Sequence, residues 1–306
     1  MNKIVNILKP TGMTSHDVVS RVRRILNMKK VGHTGTLDPD AAGVLPICLN
    51  KATKVSELIL NKEKTYICEL TLGASTDTYD SSGVITFEGD VSNITKEDIY
   101  KAFETQRGEI NQYPPIYSAL KVNGQKMCDL ARKGKADTVE IKPRKVNIEK
   151  IEILNINDNK ILFLVKCSKG TYVRSICHDI GEYLKCGGHM SFLLRTASGK
   201  FDLENSISLE ELEQYYNDNT LENYLYDIDY VLDNFKKVEL KESALNYYKN
   251  NFKQSNIWTK LHYCKICIYS LAINVSFLNC FYNIRFSNFI FISKEIWQKE
   301  SNKNYI

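Results

Sequence analysis

The sequence predicts a mixed α+β fold over roughly its first 235 residues, and three observations carry that reading. Short apolar or alternating stretches at 3–8 and 64–72 have the period of strands. Hydroxyl side chains ahead of helically spaced apolar residues, at Thr14-Ser15 and at Thr95-Lys-Glu-Asp98, mark helix starts. Gly, Pro and Asn-Gly punctuation separates these segments at intervals suited to a folded domain.

The first strand, 3–8, stops at Lys9-Pro-Thr-Gly12, after which Thr14 or Ser15 can accept amide hydrogens of a helix's first turn. In that helix Val18, Val19, Val22, Ile25 and Leu26 share one face, while Arg21, Arg23 and Arg24 fall largely elsewhere. A solvated face explains those arginines as well as a partner does, until Lys29 and Lys30 extend the stripe and make an RNA-facing surface competitive. Residues 31–46 read as a shaped loop, with three glycines and two prolines around His33 and Asp38. A short helix follows at 55–60, then the alternating strand 64–72. Thr95 opens a further helix, and Asn123-Gly124 signals a hairpin because both residues tolerate positive φ. Basic residues recur from 121 to 145, in Ala131-Arg-Lys-Gly-Lys135 and Lys142-Pro-Arg-Lys145. Strands at 147–155 and 160–167 lead to Gly170 and a helix beginning near Tyr172.

The chain has 306 residues, 43% hydrophobic and 25% charged, with a net charge of +5. These are values of an ordinary globular protein that permit a polyanionic partner without demanding one. Nine irregularly spaced cysteines read as reduced thiols packed as small hydrophobes. The pair Cys264 and Cys267 has no partner pair at zinc spacing, so no metal is expected. The N-terminus carries no apolar stretch of signal-peptide length, and a cytoplasmic location is expected.

Within 31–46, Pro39 biases Asp38 toward extended geometry, so a carboxylate is held on a stiffened turn and suits a nucleophile or base. By itself such an Asp-Pro turn is more often structural, and a lone His33 more often a satisfied core histidine. The whole string, running on to Cys48-Leu-Asn-Lys-Ala-Thr-Lys54, changes that balance. It resembles the signature of the TruB family of tRNA pseudouridine synthases. Lys9-Pro-Thr-Gly-Met-Thr-Ser15, Lys64-Thr-Tyr66, Thr76-Asp-Thr78, Tyr117-Ser-Ala-Leu-Lys121 and Ser168-Lys-Gly-Thr-Tyr-Val-Arg174 follow in the family's order. The resemblance covers about 1–235.

That resemblance implies a pseudouridine synthase fold, an α+β domain on a mixed, largely antiparallel sheet flanked by helices, with 121–145 as a thumb-like insertion that closes on RNA. It implies isomerisation of the T-loop uridine at tRNA position 55, reached by flipping the base. The glycosidic bond from C1′ to N1 breaks and C1′ rejoins the base at C5, with no oxidation and no group lost, so no cofactor is expected. Asp38 matches the family's nucleophile, Tyr66 the residue stacking on the base and a candidate for removing the C5 proton, and Arg174 the carboxylate's partner. A neighbouring guanidinium is expected to keep Asp38 ionised at neutral pH and to orient it. Tyr172 and Leu193 match positions lining the base pocket, and His33 one filling space beside the displaced base. Lys9, Arg21, Arg24, Lys30, Lys121, Lys126, Arg132 and Lys133 are candidate phosphate contacts. The expected partner is tRNA, with no membrane and no obligate protein partner, and the chain is expected to act as a monomer. An RNA-binding folding factor is the alternative from another class, and a guide-RNA-dependent synthase the alternative within the superfamily.

Three features depart from the family pattern. Asn50 stands where glycine is usual, and Leu194 replaces an arginine ahead of Arg195. The third is the C-terminal region 236–306, which is atypical after 250. Residues 251–306 contain no Gly or Pro and are dense in Asn, Ile, Phe, Tyr and Lys. Its stretch 266–284 is uncharged, but Asn274, Asn279 and Asn283 disfavour a membrane helix. A membrane segment, a divergent folded module and translation of a shifted frame in an AT-rich gene compete, and the third is favoured.

Overall fold

The computed structural model describes residues 1–118, 120–122, 124–134, 141–232 and 235. The expectations for 236–306, including Cys264, Cys267 and the stretch 266–284, lie outside the described residues. One compact unit spans Met1–Val231.

The chain opens with β1 (Ile4–Lys9), α1 (Ser15–Ile25), β2 (Val31–His33) and β3 (Ala42–Leu49). After α2 (Ser56–Leu60) come β4 (Lys64–Leu72), β5 (Ala74–Thr76) and β6 (Ile85–Glu88). Next are α3 (Lys96–Glu104), β7 (Gly108–Gln112), a small hairpin of β8 (Lys121–Val122) and β9 (Gln125–Lys126), and α4 (Met127–Arg132). The long strands β10 (Arg144–Asn157) and β11 (Lys160–Cys167) lead to α5 (Val173–Tyr183) and β12 (Gly188–Ser198). The unit closes with β13 (Phe201–Asp202), α6 (Leu209–Asn217) and β14 (Leu225–Tyr226).

The main sheet runs β14-β1-β3-β12-β4-β11-β10-β7, with β2 on β3 and β13 on β12. Among the described strand pairs only β3 with β12 is parallel; two isolated bridges, Ile7 with Ile207 and Asp80 with Met190, are parallel too. The sheet is therefore mixed and largely antiparallel, as expected. Its alternation is plain in β4, where every second residue from Lys64 to Leu72 is buried.

Two apolar clusters divide the sheet. Residues of β4, β10, β11 and β12 pack against α3 and α5, while β1 and β3 pack against α1 and α6. Two helix starts follow the caps that the sequence announces, at Thr14 and Thr95, and a third, at Ser208, is seen only in the fold. Thr14, Thr95 and Ser208 each accept from the third helical residue, whose Asp or Glu returns the bond. Of the two candidates at α1, Thr14 is the cap. The Ser15 hydroxyl is buried and pointed elsewhere.

The region 31–46 corrects the sequence reading. It is not loop throughout: 31–33 and 42–49 are strands, and only 34–41 form the connection between them. Glycine and proline obscure strand character here. Gly43, at φ +121°, lets the β3 backbone approach β12 so closely that a Cβ would collide with the Arg195 carbonyl. The long central strand β12 has no turn signal within it and went unread. Asn50 also finds its reason. It sits at φ +49°, a conformation glycine adopts freely and asparagine tolerates.

Candidate active site

Asp38 lies on the 34–41 connection at the middle of the sheet, and the chain fixes that connection from several sides. The Asp38 carbonyl accepts from the Ala41 amide at 3.1 Å, closing a turn across Pro39. The buried Ser15 hydroxyl accepts from the Leu37 amide at 2.8 Å. The Gly12 amide donates to the Pro39 carbonyl at 2.9 Å. Lys9 is fully buried, and its ammonium donates to the carbonyls of Pro10 (2.7 Å), Pro39 (3.0 Å) and Ala41 (2.6 Å). This corrects its expected role. Lys9 braces the Asp38 turn and has no free edge for a phosphate. Burial pulls its pKa down to about 8, with Asp38 and Asp40 opposing the fall.

Arg174 stands in the first turn of α5, where a cation meets the positive end of the helix and needs carboxylates nearby. It has them. Its Nε lies 3.0 Å from Asp38 Oδ2 and its Nη2 donates to Oδ1 at 3.2 Å, a two-pronged pairing. Nη2 also donates to the Tyr117 carbonyl and Nη1 to the Thr78 carbonyl, both at 3.1 Å. Asp80 Oδ2 is 3.4 Å from Nη1. The guanidinium side chain is only 7% exposed, whereas the Asp38 side chain is 36% exposed.

The α5 start is itself held from outside. The buried Gln112 side chain, on β7, accepts from the Tyr172 amide (2.8 Å) and donates to the Tyr172 carbonyl (3.1 Å). Tyr172 occupies the N-cap position of α5, without a side-chain capping bond, two residues from Arg174.

The pKa of Asp38 moves up from the ordinary aspartate value. Loss of solvent around the carboxylate is the largest cause, Arg174 opposes it, and Asp80 adds to it as a like charge. The guanidinium acts in the expected direction, and burial and Asp80 add the opposing influences that the sequence does not display.

Tyr66 and Leu193 lie on the β4–β12 ladder and share an apolar cluster with Leu37 and Ala41 of the Asp38 connection. Burial pushes the Tyr66 phenol up to about 12, against the pull of Arg195, and the Asp38 charge is felt there too. His33 ends β2, where its Nδ1 accepts from the Gly35 amide at 3.3 Å. Burial and the Arg195 charge lower its pKa, favouring the neutral ring.

The candidate phosphate contacts separate into two regions. Arg21 of α1 pairs with Glu213 of α6 at 2.8 Å, while Arg24 and Lys30 are exposed around the end of α1. Arg132 and Lys133 are exposed at the end of α4, with Arg132 loosely paired to Asp129 at 3.9 Å. Lys121 and Lys126 are backbone register partners in the β8–β9 hairpin.

Two buried-site residues were missed from sequence. Asp80 reads as an ordinary turn aspartate, and the turn is real: its Oδ1 accepts from Thr78 Oγ1 and from the Ser82 amide and hydroxyl. Only the fold shows the opposite oxygen facing Arg174. Arg195 was noted as part of a pattern but given no task. It is 1% exposed, and no periodicity marks a buried arginine.

The TruB family pseudouridylate synthase N-terminal domain matches residues 23–173, and the tRNA pseudouridylate synthase B C-terminal domain matches 174–233. The tRNA pseudouridine synthase B of Clostridioides difficile is 70% identical over 250 residues, covering 82% of this chain and 83% of that protein. That of Alkaliphilus oremlandii is 52% identical over 243 residues, covering 79% of each. Among solved structures, the crystal structure of a Cbf5-Nop10-Gar1 complex matches with a TM-score of 0.63 and 33% identity, covering 81% of this chain and 67% of that one.

Proposed function

The chain belongs to the TruB family of pseudouridine synthases, and on that premise we propose how its site converts a uridine of tRNA to pseudouridine. The protein is a tRNA pseudouridine synthase, an isomerase. The finer reading is that its target is the T-loop uridine at position 55, presented by a flipped nucleotide at the exposed edge of Asp38. The observation that carries this reading is the two-pronged contact of Arg174 with a carboxylate still 36% exposed. A carboxylate so held is oriented, charged when deprotonated and open to one nucleotide.

In the isomerisation the C1′–N1 bond breaks, a bond from C1′ to C5 forms, the C5 proton leaves and N1 gains one. Asp38 engages the nucleotide as the glycosidic bond breaks, with Arg174 supporting its negative charge. Tyr66 lies against the base and takes part in the C5 proton transfer, while Tyr172 and Leu193 line the pocket and His33 fills space beside the displaced base. Extruding a stacked base costs a few kcal/mol, offset by stacking and backbone contacts. Arg21, Arg24, Lys30, Lys121, Lys126, Arg132 and Lys133 supply the phosphate contacts. The chain acts as a monomer in the cytoplasm. Among the described residues, no helix is long and apolar enough to cross a membrane.

Asp38→Asn keeps the shape of the side chain and removes its charge. Single-turnover isomerisation of tRNA should fall by roughly 10⁴-fold or more, with tRNA affinity within a few-fold of the parent. Substantial turnover by the purified variant would overturn the assignment.

A further inference from the structure

Arg195 is a fully buried cation at the heart of the sheet, 1% exposed. Burying a guanidinium costs several kcal/mol unless a compensating partner is built in. Among the described residues no carboxylate pairs with it. Its Nε donates to the Val44 carbonyl at 2.7 Å, and Nη2 and Nη1 reach the Gly35 and Thr36 carbonyls at 3.3 and 3.5 Å. Those carbonyls belong to the connection that carries Asp38 and to the strand that leaves it.

The remaining neighbour is Tyr66. Arg195 on β12 and Tyr66 on β4 are register partners across an antiparallel ladder, which places their side chains side by side on one face. Both residues are buried there, and the guanidinium and the phenol act on each other electrostatically. The ladder shifts register between Arg195 and Ala197, so the pair sits against a bulge, a device that re-aims a side chain.

We propose that Arg195 is the positioning residue for Tyr66: its guanidinium donates to the phenol oxygen, fixes the direction of the hydroxyl, and supports negative charge there as the C5 proton is transferred. A guanidinium has no lone pair to offer, so the phenol oxygen must accept from it and the phenol hydrogen must point away from it. Burial alone would make ionisation of Tyr66 harder, and Arg195 is the largest influence working against burial. The cost of burying this cation is thereby tied to a function, because among the described residues the phenol is the ionisable group that favours its charge. Lysine at 195 would keep charge but not the planar fork that reaches Val44, Gly35 and Thr36 while standing beside Tyr66.

This inference rests on the reading of Tyr66 in the reaction, and a double-mutant cycle separates the two. Single-turnover rates are measured with tRNA for the parent, Arg195→Lys, Tyr66→Phe and the double variant, with tRNA affinity and thermal melting alongside. The expected result is a loss of at least 10-fold for Arg195→Lys when Tyr66 is present, and less than 3-fold when Phe occupies that position. Equal losses in both backgrounds, or none in either, would overturn the role of Arg195. An unchanged rate for Tyr66→Phe alone would instead overturn the reading of Tyr66.

A second arm leaves Arg195 intact and covers the case in which its variant does not fold. Trifluorotyrosine at 66, a more acidic phenol, should move the pH profile of the single-turnover rate toward lower pH. A profile unmoved by the fluorines would show that the hydroxyl carries no charge in the reaction, and the proposal would fall.

Discussion

Asp38 and Arg174 set opposing electrostatic demands at the distance of one hydrogen bond. A guanidinium that touches both carboxylate oxygens should favour the charged form, yet the carboxyl rises above its ordinary value because solvent has been removed around it and Asp80 lies near. The sign of the pH dependence follows. The reactive carboxylate is lost as pH falls through its raised pKa, so the acidic limb of the rate profile lies above that of an ordinary aspartate. Arg174→Ala removes the largest influence holding that pKa down, so the limb should move to still higher pH. The plateau should fall by about 10²-fold, the usual cost of deleting one charge-stabilising donor. Single-turnover rates between mild acid and neutral pH check both effects. A limb that stays put or moves down would show that the guanidinium does not act on the Asp38 charge.

The elements that matter most are short connections braced by long-range bonds. The 34–41 connection has no regular structure, and Lys9, Gly12, Ser15 and Arg195 hold its carbonyls and amides in place. Lys9→Met would fit the volume and strand the Pro10, Pro39 and Ala41 carbonyls. The expected loss is about 2–3 kcal/mol of stability, seen as a fall of roughly 5–10 °C in melting temperature. The single-turnover rate should drop with it, while the salt dependence of tRNA binding should not change, because Lys9 touches no phosphate. The opposite pattern is expected at the end of α4. Charge reversal at Arg132 and Lys133 removes exposed charge and braces nothing. It should weaken tRNA binding and flatten the slope of log affinity against log salt by about 1.5–2. An unchanged slope would show that this turn does not meet RNA.

At the scale of the whole molecule, all the proposed catalytic and pocket residues fall within the compact unit Met1–Val231, and the family domains end at 233. Truncation after Asn250 should therefore leave single-turnover pseudouridylation within about 2-fold of the parent, since no first contact with substrate is assigned beyond it. Loss of activity on truncation would place part of the RNA-binding surface in 251–306. Translating the other reading frames downstream of codon 250 tests the shifted-frame reading directly.

Local rules gave much of this protein from its sequence. The alternation of β4, the capping boxes at Thr14 and Thr95, and the Asn-Gly hairpin depend on neighbours a few residues away. Ordered motifs then singled out Asp38, Tyr66 and Arg174 and implied the sheet that carries them. Tertiary structure decided what depends on distant neighbours. A segment interrupted by Gly43 and Pro46, β3, is a strand because β1 and β12 flank it. Lys9 is a brace and not an RNA contact because the fold closes over it. Asp80 and Arg195 acquire their roles from partners far along the chain, Arg174 and Tyr66. The net charge state of Asp38 belongs to the same class, because solvent exclusion is a property of the packed sheet and connection, and no local string of residues encodes how dry a carboxylate becomes.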